Sequence, residues 1–155
     1  MSAVETPVIA VPKPRLSKLA KWSLFWTAFI GIGAIAGSLM MWTTPARFGM
    51  EQLLEPLHRL PLGHLIGDSF ALPGLALLGV IGLPHLIAAW LIFKRHHGAP
   101  VAALFSGIVL LAWLALQLFY LFGPNPVTNM YAVFALVETV IAARWFRSHR
   151  AISSE

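Results

Sequence analysis

The stretch that decides the fold is Leu72–Lys94, which reads LPGLALLGVIGLPHLIAAWLIFK. A helix needs about 20 consecutive apolar residues to cross a bilayer, and this stretch is long enough. It also carries Pro84 and His85 in its interior, and a plain membrane anchor needs neither. Pro84 removes a backbone donor and displaces the carbonyl of Val80, so the sequence predicts a membrane-spanning helix with a kink.

The composition of the whole chain agrees with a membrane environment. Of the 155 residues, 58% are hydrophobic and 11% are charged, whereas soluble domains carry about 25% charged residues. The net charge of +5 comes from basic residues at the ends of apolar runs, which is a topology signal and not a nucleic-acid-binding stripe. The absence of cysteine excludes disulfides and thiolate metal sites.

Three further apolar runs suit a membrane span. The predicted spans cover residues of about 22–42, 72–93, 101–122 and 127–143. Short connections join the last three spans, which are therefore sequential antiparallel neighbours. The predicted fold is all-α, an antiparallel membrane four-helix bundle over residues 17–146. A disordered cytoplasmic tail (1–16) precedes it, and a second cytoplasmic tail (147–155) follows it.

The first run, Trp22–Trp42, follows basic residues, which also fits a signal peptide. It exceeds the roughly 7–15 apolar residues of a signal peptide, and no small-residue cleavage site follows, so we expect a retained span. Gly33 and Gly37 form a G-x-x-x-G pair in this run. The pair fits either a homodimer or another membrane-protein partner, or packing inside the same bundle, and we favour packing inside the bundle.

The polar connection between the first two spans predicts a short helix on the membrane surface. It starts at Pro45, runs to about Glu55 and is broken by Pro56. Several acidic and histidine side chains in this connection invite a metal-site interpretation. Prolines interrupt any shared helical face, so a solvated loop and no metal site are expected. These side chains are Glu51, Glu55, His58, His64 and Asp68.

The distribution of Lys and Arg predicts the orientation. Nine of the eleven lie on one predicted side of the membrane, in the amino tail, the second loop and the carboxyl tail. The other two, Arg47 and Arg59, lie in the first loop. Because cytoplasmic loops are enriched in Lys and Arg, both termini are predicted to lie in the cytoplasm.

Two ionisable side chains fall inside predicted spans. His85 shares a small-residue face with Ala88, and Glu138 shares another with Ala135. At 1.5 Å per residue, His85 lies about 13 Å from Lys94, and Glu138 lies about 9 Å from the cytoplasmic end of its helix. Because an ionisable group at such a depth costs about 2.5–3.5 kcal/mol, each is expected to have a partner, and Ser106 lies at the same level.

The chemistry of these residues leaves two interpretations open. His85 and Glu138 form either a proton-accepting or ligand-binding pair, or a hydrogen bond that only holds two helices together. Near the outer end of the third span, Trp113, Gln117 and Tyr120 fit either an interhelical amide bond under an aromatic belt or a quinone-like ring site. No nucleotide-binding loop, hydrolase elbow or dinucleotide motif occurs, and no cofactor is predicted.

With four spans placed, the segment FALPGLALLGVIGL (Phe70–Leu83), Gly107 and LLAWLALQ (Leu110–Gln117) resemble a recurring pattern of small uncharacterised four-helix membrane proteins of bacteria. A looser resemblance is to DoxX-like proteins, some of which are linked to quinone-coupled redox complexes. The first span departs from that family, since it lacks the family's basic and glycine-lysine features.

Two functions stay open. The favoured one is a non-enzymatic bundle in the lipid bilayer that acts as an accessory or scaffold subunit, or binds an apolar ligand. The alternative is a small membrane enzyme or proton-coupled carrier, quinone-linked as the DoxX-like resemblance implies, that uses the pair of His85 and Glu138.

Overall fold

The computed structural model describes residues 16–48, 54–59, 63–67, 69–121 and 126–153, and the described residues form helices and no strand. Four helices are long and one is short. They are α1 (Lys18–Thr43), α2 (Leu54–His58), α3 (Ala71–Phe93), α4 (Ala99–Leu116) and α5 (Pro126–Ser153). Single 3₁₀ turns lie at Ala46–Phe48 and Gly63–Leu65.

Three of these helices are long and apolar enough to cross a membrane, namely Lys18–Thr43, Ala71–Phe93 and Ala99–Phe119. The all-helical class predicted from the sequence is therefore confirmed for the described residues, and the three apolar helices support the predicted membrane protein. The fourth predicted span, residues 127–143 of α5, is not among these three. The first helix starts four residues before the predicted span because Ser17 caps it. The Ser17 hydroxyl accepts a hydrogen bond from the Ala20 amide at 3.1 Å, which satisfies a donor that the first turn leaves free.

Helix α3 adjusts to its proline by widening one turn. A π-helical segment, Leu77–Gly82, lies immediately before Pro84, and the Leu83 amide donates to the Leu78 carbonyl five residues earlier. Proline lacks an amide donor and crowds the carbonyl four residues before it, so the hydrogen-bond register shifts upstream of the ring. The sequence predicts a disturbance at this point, and the structure identifies it as a π segment.

Helix α4 begins at Ala99, two residues before the predicted span, with Pro100 in its first turn. Pro100 is tolerated there because a residue in the first turn needs no intrahelical acceptor for its amide. The helix continues beyond Leu116 as a π segment, Gln117–Leu121. Residues 122–125 lie outside the described residues, and helix α5 starts at Pro126.

Helix α5 continues about ten residues past the end of the predicted span, to Ser153, so most of the predicted second tail is helical. Local contacts stabilise this extension. The Arg150 guanidinium lies over the Phe146 ring, 4.7 Å from its centroid, and the Ser148 hydroxyl donates to the Trp145 carbonyl at 2.8 Å. The predicted first tail lies outside the described residues except for Leu16.

The predicted helix from Pro45 to Glu55 is not confirmed, and its predicted end at Pro56 is wrong. The chain forms a 3₁₀ turn at Ala46–Phe48, residues 49–53 lie outside the described residues, and α2 runs through Pro56. Proline is tolerated there because the first amides of a helix have no intrahelical acceptor.

Glycines bring α1 and α3 close together. A Cβ on Gly74 would lie 2.3 Å from the Trp42 indole nitrogen, and a Cβ on Gly31 would lie 3.0 Å from a methyl of Leu86. The end of α1 thus meets the start of α3, and the two helices run in opposite directions. The G-x-x-x-G pair divides: Gly37 packs against Leu77, whereas Gly33 is exposed with open space beyond its Cα.

Two apolar clusters each join α1, α3, α4 and α5. One, the basic-end cluster, adjoins the Lys and Arg residues at the start of α1 and the ends of α3 and α5. It contains Ala20, Ile92, Ala99, Ala103 and Ala142. The other, the far cluster, contains Ile30, Ala34, Ile81, Leu110, Leu114 and Ala135. In each of the four long helices, the residues of the two clusters are several positions apart. The two clusters therefore lie one after the other along the helix axes, with a layer of residues between them.

Candidate functional site

The layer between the two apolar clusters is polar, and each of the four long helices contributes to it. We call it the polar layer. Its members are Ser23 and Thr27 of α1, His85 of α3, Ser106 of α4, and Glu138 and Thr139 of α5. All are buried except Thr139, which is half-buried. Polar side chains in this position need hydrogen-bond partners, because neither lipid nor the apolar clusters can supply them.

The polar layer contains the predicted pair in direct contact. The His85 Nε2 atom lies 3.3 Å from Glu138 Oε2, and both side chains are fully buried. The His85 Nδ1 atom lies 2.6 Å from the Ile81 carbonyl oxygen, one turn earlier in α3. The predicted inward orientation of both residues and their similar depth are thus confirmed.

These two contacts restrict where protons can lie. A carbonyl oxygen only accepts, so His85 Nδ1 carries a proton and donates it to Ile81. The contact between His85 Nε2 and Glu138 Oε2 then needs one further proton, which is bonded either to the imidazole or to the carboxyl group. The pair has no net charge in either arrangement, which is the state that a low-dielectric interior favours.

Most hydroxyl groups of the polar layer are satisfied within their own helices. Thr27 donates to Ser23, Ser106 to Ala103 and Thr139 to Ala135, at 2.8, 3.0 and 2.7 Å from the carbonyl oxygens. Two buried atoms in the described part of the chain have no hydrogen-bond partner, namely Ser23 Oγ and Glu138 Oε1. Such atoms are costly and uncommon, so each calls for an explanation.

Helices α4 and α5 meet at the polar layer through Gly107. A Cβ at this position would lie 2.6 Å from Thr139 Oγ1 and 3.3 Å from its Cα. The glycine therefore permits the close approach that sets Glu138 on α5 opposite His85 on α3. The sequence analysis did not identify Ser23 and Thr27 as members of this layer, although Ala20, Ser23 and Thr27 recur at the spacing of one helix face. It also did not identify the packing of Thr139 against Gly107.

The second predicted group lies apart from the pair. Trp113 packs against the far cluster, and Gln117 is half-buried at the first residue of the π segment that ends α4. The side chain of Tyr120 lies outside the described residues. The far cluster separates Trp113 and Gln117 from the polar layer, so the structure unites Ser106 with His85 and Glu138 but not the aromatic group.

A pocket of about 520 Å³ lies where α1 ends and α3 begins. The Trp42 indole, which donates to the Ala71 carbonyl at 3.1 Å, forms part of its wall. Except for Ser69, the lining is mainly apolar. The lining residues are Met41, Trp42, Pro45, Leu54, Ser69, Phe70 and Ala71. Within the described ranges, no three His, Asp or Glu side chains come close enough to hold a metal ion.

Comparisons with protein-family models, with curated proteins and with solved structures find no match. The resemblance to DoxX-like proteins therefore stays a prediction, and the functional argument rests on the geometry of the chain itself.

Proposed function

We propose that this chain is a small polytopic protein of a bacterial inner membrane, an antiparallel four-helix bundle with both termini in the cytoplasm. In this proposal it acts without catalysis, as an accessory or scaffold subunit that also binds an apolar ligand. Exposed apolar side chains such as Ile32 (62%) and Phe93 (68%) support a lipid-facing surface. The basic residues near Lys18, Lys94 and Arg144 share one end of the bundle, which supports the cytoplasmic orientation.

The observation that carries the non-catalytic assignment is the closed contact between His85 and Glu138. Both side chains have 0% exposure, and the imidazole uses both nitrogens, one on Glu138 and one on the Ile81 carbonyl. A general acid or base must lie within hydrogen-bond reach of a substrate. A pair that is enclosed between two apolar clusters and bonded to itself acts instead as a link between α3 and α5.

The ligand part of the proposal rests on the pocket beside Trp42. Ligand sites are typically apolar clefts of about 300–1,000 Å³ with a few polar groups, and this pocket has that size and composition. Its place at the end of α1, beside a tryptophan, suits the interfacial region, so an apolar ring or acyl chain is the expected ligand.

The test is affinity purification of the full chain in mild detergent, followed by mass spectrometry of co-purifying proteins and lipids. The expected result is a partner or lipid that the wild type retains. The variants His85→Ala and Glu138→Ala should lower both stability and the recovered complex. Val133→Ala, an exposed position on α5, is the matched control and should change neither. A wild-type chain that retains no partner and no lipid contradicts the proposal.

Two observations favour the second candidate, a proton-coupled carrier. The Glu138 Oε1 atom is buried without a partner, and a π segment adjoins His85. Segments of this kind often occur at functional sites. Proteoliposomes that contain a pH-sensitive dye test this candidate. Proton movement that Glu138→Gln abolishes, while the fold is retained, supports a carrier and overturns the scaffold assignment.

A further inference from the structure

We propose that Glu138 and Ser23 together hold one buried water molecule, which links α5 to α1 and completes the polar layer. The two atoms that lack partners, Glu138 Oε1 and Ser23 Oγ, form the two sides of this site. The inference rests on the polar layer alone, and it applies whether the pair of His85 and Glu138 is structural or carries protons.

The first step is that both atoms lie at one level of the bundle. Ala20 of α1 packs with Ala142 of α5 in the basic-end cluster, and Trp26 contacts Phe134 with ring centroids 5.3 Å apart. Ser23 lies midway between Ala20 and Trp26. Because α5 runs in the opposite direction, the position midway between Ala142 and Phe134 is Glu138. Each residue rises about 1.5 Å, so Ser23 and Glu138 face each other at the same depth.

The second step is that Ser23 departs from the behaviour of the other buried hydroxyl groups. Thr27 and Ser38 on the same helix, like Ser106 on α4, donate to a carbonyl one turn earlier. Ser23 is 0% exposed and makes no such bond. Its hydroxyl group therefore keeps unused hydrogen-bonding capacity in the interior, where the other buried unpartnered atom among the described residues is Glu138 Oε1.

The third step concerns the chemistry of the occupant. A serine hydroxyl both donates and accepts, whereas a carboxyl oxygen bonded to neither proton nor partner only accepts. The two atoms lie too far apart for a direct hydrogen bond, since neither has a partner within bonding distance. A small neutral O–H donor that gives one hydrogen bond to Glu138 and exchanges another with Ser23 satisfies both, and water is the smallest such group.

The consequence is a continuous chain of hydrogen bonds across three helices. It runs from the Ile81 carbonyl through His85 to Glu138, and through the water to Ser23. The α1 helix supplies no titratable side chain to this layer, since Lys18 and Lys21 are exposed. Helix α4 supplies only Ser106. The water thus gives α1 its polar contact with the pair.

Two opposite results for one substitution test this proposal. If water bridges the two atoms, Ser23→Ala leaves Glu138 Oε1 poorly satisfied and raises the unfolding equilibrium constant about fivefold. If no water is present, the same substitution removes an unsatisfied hydroxyl group, and stability stays the same or rises. Unfolding is measured in mixed detergent micelles by tryptophan fluorescence. Ser38→Ala is the matched control, because Ser38 is equally buried on α1 and bonds to Ala34.

Two further measurements make the test decisive. In a Glu138→Met background, Ser23→Ala should no longer destabilise, since the carboxyl oxygen that needs the water is gone. Infrared difference spectra of wild type and Ser23→Ala, recorded in H₂¹⁶O and H₂¹⁸O, detect the water directly even if the methionine variant fails to fold. We expect a wild-type O–H stretching band that shifts with ¹⁸O and is lost in Ser23→Ala. The absence of such a band, or its persistence in Ser23→Ala, overturns the proposal.

Discussion

The substitution Gly107→Ala examines how closely α4 and α5 approach at the polar layer. The new Cβ would lie 2.6 Å from Thr139 Oγ1, a separation that real side chains do not show. The hydroxyl group cannot simply rotate away without cost, because it donates to the Ala135 carbonyl at 2.7 Å. Either the helices separate, which weakens the contact between His85 and Glu138, or Thr139 gives up its hydrogen bond.

The expected magnitude follows from two opposing effects. Overpacking of a close contact costs about 1–3 kcal/mol. Replacing glycine by alanine inside a helix raises the free energy of unfolding by about 0.5–1 kcal/mol, because the unfolded chain loses conformational freedom. The free energy of unfolding should therefore fall by roughly 1 kcal/mol, which raises the unfolded fraction about fivefold.

The assay is equilibrium unfolding in mixed micelles for the two single variants, the double variant and the wild type. In a Thr139→Ala background the oxygen is gone, and the remaining contact to the Cα of residue 139, at 3.3 Å, requires only a small shift. Gly107→Ala should then stabilise the protein instead of destabilising it. If Gly107→Ala costs the same free energy in both backgrounds, the steric reasoning is refuted.

Other substitutions test the pair and the glycine contacts of α1. Glu138→Gln should stay close to wild-type stability, because its amide donates to the free nitrogen of His85. Glu138→Ala should cost about 2–3 kcal/mol in the same unfolding assay from the lost bond and the cavity. Gly74→Ala should displace the Trp42 indole, lower stability by about 1–3 kcal/mol and shift its fluorescence. Gly33→Ala fills open space and should stabilise the monomer by about 0.5–1 kcal/mol. Weaker association of Gly33→Ala in an energy-transfer assay would indicate instead that α1 forms a homodimer.

The membrane helices were largely predictable because hydropathy and length leave few alternatives. Runs such as Leu72–Lys94 exceed what a soluble core helix needs, and backbone groups in lipid must bond within a helix. The ends of helices were less predictable. Ser17 extends α1 through a local cap, and α5 continues through Arg147 to Ser153, where the Arg150 guanidinium lies over the Phe146 ring.

The pair was predictable for a different reason. An ionisable residue within a span is expensive, so His85 and Glu138 had to point inward and find partners at their own depth. The water-binding role of Ser23 was not predictable from such reasoning, since a serine in a span is normally satisfied by its own helix. Nor does the sequence reveal the π segment, because a proline in a helix allows a kink or a wider turn, and packing decides between them.

The position of the pair within the bundle explains why an apolar helix contact retains polar groups at all. The basic-end cluster is formed mostly by alanines, whose short side chains form shallower ridges than large apolar side chains and so constrain the helix register less. A shift of α5 by one residue would carry Glu138 about 100° around the helix and into lipid. The penalty for that misplacement exceeds the modest energy of the hydrogen bond itself. We infer that the pair contributes chiefly by excluding wrong registers, and we expect replacement of both residues by well-packed apolar side chains not to lower stability.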